Sequence, residues 1–233
     1  ALGKPYDNCA PKYARALGIK NAIEEAGKRP LLPPAHTTQT AHLEIVLDEN
    51  GEFSQAYPIL EKGMMTVIPC TPESANRAGA AVYPYPLSDN LEYLAGDLKN
   101  YIIKSPQDKK DPKKISEDKF SAYISNLKNW AESVYAVEKV RLVYKYLSKG
   151  KIIADLVKNN ILAEENGVLK FKADGEKYPL YKAVTSNITK TFVRFSARLF
   201  GEKSEFYYDE EVYDSWRRYY ESVKKGKKQI CYV

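Results

Sequence analysis

The chain has 233 residues, 44% of them hydrophobic, 28% charged, with a formal net charge of +6. That length holds one large domain or two small ones around a real core. No run of about eighteen apolar residues is present, which excludes a spanning helix. Cys9, Cys70 and Cys231 lie too far apart for a disulfide framework or a zinc pattern. The start carries no signal-peptide core, so a reducing cytoplasm and no membrane partner are expected.

Charge is divided unevenly. Residues 1–98 carry 8 Lys or Arg against 12 Asp or Glu, a net of −4, and residues 99–233 carry 28 against 18, a net of +10. A basic face suits a polyanion, because phosphate contacts release counterions; the plainer reading is a solvated lysine-rich surface. The 19 tyrosines supply rigid amphipathic area that suits interfaces and base stacking, or simply the rim of a core.

Residues 11–27 open with Pro11 and place Ala14, Ala16, Leu17, Ile19 and Ile23 on an approximate helical face. Leu31-Leu32-Pro33-Pro34 is extended, since proline restricts itself and its predecessor. A strand over 42–47, a turn at Asp48-Glu49-Asn50-Gly51 and a return strand over 53–59 form a hairpin, with Pro58 favouring an edge. Residues 64–68 read as a third strand of one small antiparallel sheet. Thr71 caps a short helix near 73–77, with Pro72 in its first turn. Ser88 or Asp89 then caps a helix toward Ile103, with Leu91, Leu94, Leu98 and Tyr101 on one face. Gly96 within it is costly unless something packs closely there. After a charged loop at 105–115, helices are predicted over 116–130, over 134–147 with Val134, Val137, Val140, Tyr144 and Leu147 inward, and over 152–158. Asn166-Gly167 leads into a brief strand over 168–171. Residues 190–200 alternate, with Val193, Phe195, Ala197 and Leu199 facing one way and Phe192, Arg194, Ser196 and Arg198 the other. They read as a strand with one basic face, or as a buried strand with arginines at its exposed edge. A last helix over 209–224 turns Val212, Trp216 and Tyr219 or Tyr220 inward.

No GxSxG, phosphate loop, HExxH or dinucleotide fingerprint is present. His36, His42, Cys70 and Asp48 permit a metal site in principle, and Cys70 with His36 a nucleophile pair; hydrogen bonding within the loop and a strand-edge position are the plainer roles of the two histidines. Asp89, Glu92 and Asp97 offer carboxylates to a divalent site; capping by Asp89 and backbone hydrogen bonds by Asp97 are the plainer roles. Nucleic-acid contacts are better represented. Thr37, Thr38, Gln39 and Thr40 form a polar run able to reach base edges or phosphates. Asn76 and Arg77 follow the small sheet, and Arg77 is the only arginine between Arg29 and Arg141. A bidentate contact to a base competes with a local pair to Glu73. Lys62 suits a phosphate or a minor groove. Arg194, Arg198, Arg217, Arg218, Lys224 and Lys225, with Lys203 and the lysines to 228, compose a candidate phosphate track.

Residues 31–97 are dense, aperiodic and turn-rich, which suggests a shaped surface. Three ordered motifs in them resemble the amino-terminal portion of the large subunit of the type I-C CRISPR surveillance complex, Cascade. They are Leu31-Leu32-Pro33-Pro34-Ala35-His36-Thr37-Thr38; then Thr66-Val67-Ile68-Pro69-Cys70-Thr71-Pro72-Glu73-Ser74-Ala75-Asn76-Arg77; then Pro84-Tyr85-Pro86-Leu87-Ser88-Asp89-Asn90-Leu91-Glu92-Tyr93-Leu94-Ala95-Gly96-Asp97. Weaker similarity runs to Gln229-Ile230-Cys231-Tyr232-Val233. Tyr85 stands where the family carries a histidine, which argues against chemistry at that position and keeps a stacking or packing role. Family members are much longer, so the resemblance implies an amino-terminal piece without the carboxy-terminal helical bundle. It also implies a non-catalytic role: recognising the protospacer-adjacent motif in double-stranded DNA and helping the duplex open for the guide RNA. The partners implied are other Cascade subunits and a helicase–nuclease, and no cofactor is implied.

The expectation is therefore an α+β chain: a small antiparallel sheet with irregular loops over 1–105, then a basic, mainly helical region over 106–233 with one or two further strands. Thr37, Thr38, Gln39, Lys62, Asn76 and Arg77 are the candidate DNA readers. Two alternatives stand beside it: a docking module for the neighbouring subunit and the guide RNA handle, and a metal-dependent nuclease using the carboxylates or histidines.

Overall fold

The computed structural model describes residues 32–60, 65–77, 81–102, 111–172, 180–184 and 187–225. The helix expected over 11–27 and Lys62 lie outside the described residues, as does the Lys225 side chain.

The Asp48 turn forms as its residues require: Asp48 Oδ1 accepts from Asn50 N at 2.9 Å and Glu52 N at 2.7 Å, and Gly51 takes φ +69°. It joins β2 (Leu43–Leu47) to β3 (Phe53–Pro58), with Pro58 on an edge strand. The third strand, β4 (Met65–Pro69), does not extend this hairpin. It pairs antiparallel with β1 (His36–Thr40), so the polar run 37–40 is itself a strand in a separate two-stranded ribbon.

The main sheet instead recruits β8 (Phe192–Leu199), which lies parallel to β2 and antiparallel to β5 (Asp89–Asn90) and β9 (Glu202–Glu205). Chain from both sides of residue 105 thus shares one sheet and one hydrophobic core, which runs from Leu43 to Trp216. The 105/106 division does not separate two cores. β6 (Leu162–Glu165) and β7 (Val168–Phe171) form a third, small hairpin.

Helices α1 (Pro72–Ala75), α2 (Leu91–Leu94), α3 (Pro112–Ala131), α4 (Glu138–Leu147), α5 (Ile152–Lys158) and α6 (Glu210–Lys225) complete the mixed α+β fold. α1 has the predicted Thr71 cap, reciprocated by Ser74 as a capping box. The long helix expected after Ser88 breaks at Ala95–Gly96 into α2 and a 3-10 turn (Leu98–Tyr101). The break lets Gly96 approach α3 and Gly150: a Cβ at Gly96 would stand 2.8 Å from the Phe120 ring and 3.0 Å from Gly150 Cα. α4 starts later than expected, which leaves Val134 outside it and 91% exposed.

β8 is buried on both faces as far as Ala197. Its polar face holds Arg194, which donates to Glu44 Oε2 from Nε at 2.9 Å and Nη2 at 2.7 Å, and from Nη1 to Thr66 of β4 at 3.3 Å. Ser196 and Tyr57 each donate to Glu44 Oε1 at 2.7 Å, Tyr207 donates to Oε2 at 3.0 Å, and Lys203 Nζ lies 2.6 Å from Oε1. Burial opposes ionisation of Glu44, but the Arg194 charge and the Lys203, Ser196 and Tyr57 hydrogen bonds outweigh it and hold the carboxyl down at about 2. This cluster, through Thr66, ties the β1–β4 ribbon to the main sheet.

Candidate functional site

The polar ribbon and the end of α1 meet at Tyr85. Thr37, Thr38 and Gln39 on β1 are half-buried, and Gln39 Nε2 donates to Tyr85 Oη at 3.0 Å. From the other side, the Arg77 guanidinium lies 4.4 Å from the Tyr85 ring centroid and 4.7 Å from that of Tyr93. Tyr85 also packs edge-on against Phe192. Tyr85 is thus held by packing and stacking contacts on both sides.

Arg77 does not pair with Glu73. Nη1 and Nη2 donate to the two oxygens of Asp89 at 2.8 and 2.6 Å, and Nη1 also donates to the Tyr83 carbonyl at 3.2 Å. The Arg77 side chain is 18% exposed and that of Asp89 is 0% exposed. Asp89 caps no helix either. Besides Arg77 it accepts from the backbone N–H groups of Tyr85 at 2.8 Å and Asn90 at 2.7 Å. Burial pushes its carboxyl above the usual range, against the Arg77 contacts and the two N–H groups that favour the ionised form. The fork that would grip a base is thus already filled by a carboxylate. Arg77 is a strut between α1, β5 and two tyrosines. Asn76 remains exposed beside it, with Nδ2 donating to the Pro72 carbonyl at 3.0 Å.

Among the described residues the phosphate candidates differ in their surroundings. Arg194 is 5% exposed and committed to Glu44, which corrects its placement among surface cations: the strand that carries it is central, so its polar face is covered. Arg217 and Arg218 both pair with Asp214 on α6, at 2.5 and 2.7 Å. Arg198 and Lys224 are exposed, Lys224 lying 4.5 Å from the Tyr220 ring centroid.

The carboxylates weighed for a metal are dispersed among other duties. Glu92 pairs with Lys119 at 2.8 Å and Lys190 at 2.7 Å. Asp97 accepts from Ala154 N at 2.9 Å and Ile153 N at 3.2 Å, capping α5 from a distant part of the chain. His36 Nδ1 bonds the Pro34 carbonyl, and burial lowers the ring to about 4, while its Nε2 has no partner among the described residues. His42 Nδ1 accepts from Phe192 N at 2.9 Å, and burial pushes the Cys70 thiol up to about 11. Among the described residues no group of three or more His, Cys, Asp or Glu is placed to hold a metal, and no helix is long and apolar enough to cross a membrane.

The expected shaped surface is in large part interior: Tyr85, Leu87, Leu91, Tyr93, Leu94 and Ala95 are all buried. Missed in the sequence were Asp89 as the partner of Arg77, and Glu44 as the hub of β8. No local signal marked either pair: Asp89 sits between Ser88 and Asn90, 12 residues from Arg77, and Glu44 lies 150 residues from Arg194.

Compared with known proteins, residues 17–233 match the family described as CRISPR-associated protein (Cas_Csd1). No curated protein matches the chain.

Proposed function

Since the chain belongs to the CRISPR-associated Cas_Csd1 family, we propose that it is a non-catalytic large-subunit portion of a Cascade-type complex. It reads the protospacer-adjacent motif in duplex DNA and assists strand opening for the guide RNA. Tyr85 carries this reading: held by Gln39 on one side and Arg77 on the other, it joins the polar strand and the exposed Asn76 into one supported surface. Thr, Gln and Asn side chains on a rigid support suit recognition of a few base edges, while base pairing reads the remainder. Arg77 holds this surface rather than touching bases. Partners are DNA, the guide RNA complex, other Cascade subunits and a helicase–nuclease.

The test uses the assembled complex with Thr38→Ala, Gln39→Ala or Asn76→Ala, bound to duplexes with intact and scrambled adjacent motifs. Loss of about tenfold or more confined to the intact motif supports direct reading. Equal loss on both duplexes replaces reading with phosphate holding, and no loss removes these residues from the interface.

A second reading, docking onto a neighbouring subunit, is favoured by the ribbon itself. Among the described residues it has two strands; β4 is buried from Thr66 to Pro69, so β1, half-buried at Thr37–Gln39 and exposed at Thr40, is the strand another chain could extend, and the −4 balance of residues 1–98 is a poor charge for DNA. Loss of co-purification with the other subunits on Thr38→Pro, with motif discrimination retained by the complex that remains, would favour it.

A further inference from the structure

The chain builds the same two-residue hairpin turn twice. Between β6 and β7, the pairing of Glu165 with Val168 leaves Asn166 and Gly167 as the loop, at φ 53° and 78°. Between β8 and β9, the pairing of Leu199 with Glu202 leaves Phe200 and Gly201, at φ 53° and 86°. Positive φ at both positions defines the turn for which Asn-Gly is the favoured pair. Asparagine tolerates that conformation, whereas a bulky side chain is strained in it. Phe200 gains no packing in return, since it is 98% exposed.

A second cost sits one pair along the hairpin. Arg198 lies directly opposite Lys203, like charge against like charge. Lys203 is neutralised by Glu44 and Glu205. Arg198 is exposed and has no ion-pair partner among the described residues. Cross-strand partners share a sheet face, so Arg194, Arg198 and Lys203 stand on one face with Glu44 and Glu205, an excess of one positive charge. Tyr57, opposite Glu44 on β3, adds an aromatic ring to it, with Lys203 Nζ 5.2 Å from its centroid.

We propose that the tip of the β8–β9 hairpin binds single-stranded DNA, with Phe200 stacked on an unpaired base and Arg198 on the adjoining phosphate. An exposed ring beside a free cation is what strand-tracking surfaces use, because every base offers a π-face. An apolar pocket on a protein would accept Phe200 but would leave the Arg198 charge beside it unanswered. DNA is favoured over RNA because Leu199, Phe200 and Gly201 carry no side-chain group able to recognise a 2′-hydroxyl. The site is separate from the Tyr85 surface: β5 pairs with the first residues of β8, and the tip lies at its far end, about 23 Å away for seven residues at about 3.3 Å each.

The test exchanges one turn for the other. Phe200→Asn restores the favoured Asn-Gly pair, so the melting temperature should rise. Anisotropy of labelled oligothymidylate should show affinity weakened by about tenfold, with an unchanged salt dependence. Phe200→Trp should retain affinity. Arg198→Gln should reduce the slope of log affinity against log salt by about 0.7. Unchanged oligothymidylate binding by Phe200→Asn would overturn the proposal. So would a fall in its melting temperature, which would show that Phe200 supports the fold. Tighter binding of oligouridylate, or loss of co-purifying subunits with oligonucleotide binding intact, would likewise reassign the tip to RNA or to protein.

Discussion

Asp89→Asn and Arg77→Ala, made singly and together, distinguish a strut from a base reader. The pair is bidentate at 2.6 and 2.8 Å, with Asp89 fully buried and Arg77 18% exposed. Breaking a buried ion pair by removing one partner costs about 3–5 kcal/mol. Residual solvent at Arg77 lowers this toward the bottom of the range, so each single variant should lose about 3 kcal/mol. The double variant should lose little more, because neither partner is then left alone; the coupling energy should therefore be about 2–3 kcal/mol in a thermodynamic cycle measured by urea melts. Binding by the assembled complex gives the second readout. A strut predicts that both single variants lose motif discrimination together, since the end of α1 loses its anchor either way. A reader predicts the opposite for Asp89→Asn, which frees the guanidinium for DNA and leaves affinity intact or raised while Arg77→Ala abolishes it. A coupling below about 0.5 kcal/mol, or divergent DNA binding by the two single variants, would refute the strut.

Gly96→Ala forces a Cβ to 2.8 Å from the Phe120 ring and 3.0 Å from Gly150 Cα, so thermal melts should show a loss of about 1–3 kcal/mol; a wild-type melting temperature would contradict the close approach. Asp97→Ala removes the acceptor for Ile153 N and Ala154 N, and should cost about 1–2 kcal/mol with faster amide exchange at those two positions; unchanged exchange would sink it. His36 is lowered from 6.5 to about 4 by burial, so the unfolded chain takes up its proton first as pH falls. The stability it contributes is complete above pH 6.5 and drains away toward pH 4, by up to about 3 kcal/mol. The Glu44 contribution, from a carboxyl held at about 2 against an ordinary 4.5, is lost in the lower window between those values. Burial lowers His42 as well, so His36→Gln should reduce the slope of the upper window in urea melts taken across pH without abolishing it; an unchanged slope would assign it to His42.

Local signals along the chain were legible because their physics is local. Asn-Gly specifies a tight turn, Thr71-Pro72 specifies a helix start, and the alternation of 192–199 specifies a strand, since each depends on φ, ψ and a hydrogen bond within a few residues. The three motifs identified the family for a related reason: many of their residues are ones the fold packs, and Pro33, Pro69, Pro84, Tyr85, Pro86, Leu91, Leu94 and Ala95 are buried. Partnership was not legible. Whether β4 joins β3 or β1, whether Arg194 faces water or Glu44 150 residues away, and whether Arg77 meets Glu73 or Asp89 all turn on long-range pairing. A charge carries no sign in sequence of the carboxylate that will claim it; burial decides, because a desolvated charge must find its counter-charge. So residues 31–97 announced the family, while the folded chain turned the most conspicuous reader among them into a support for its neighbours.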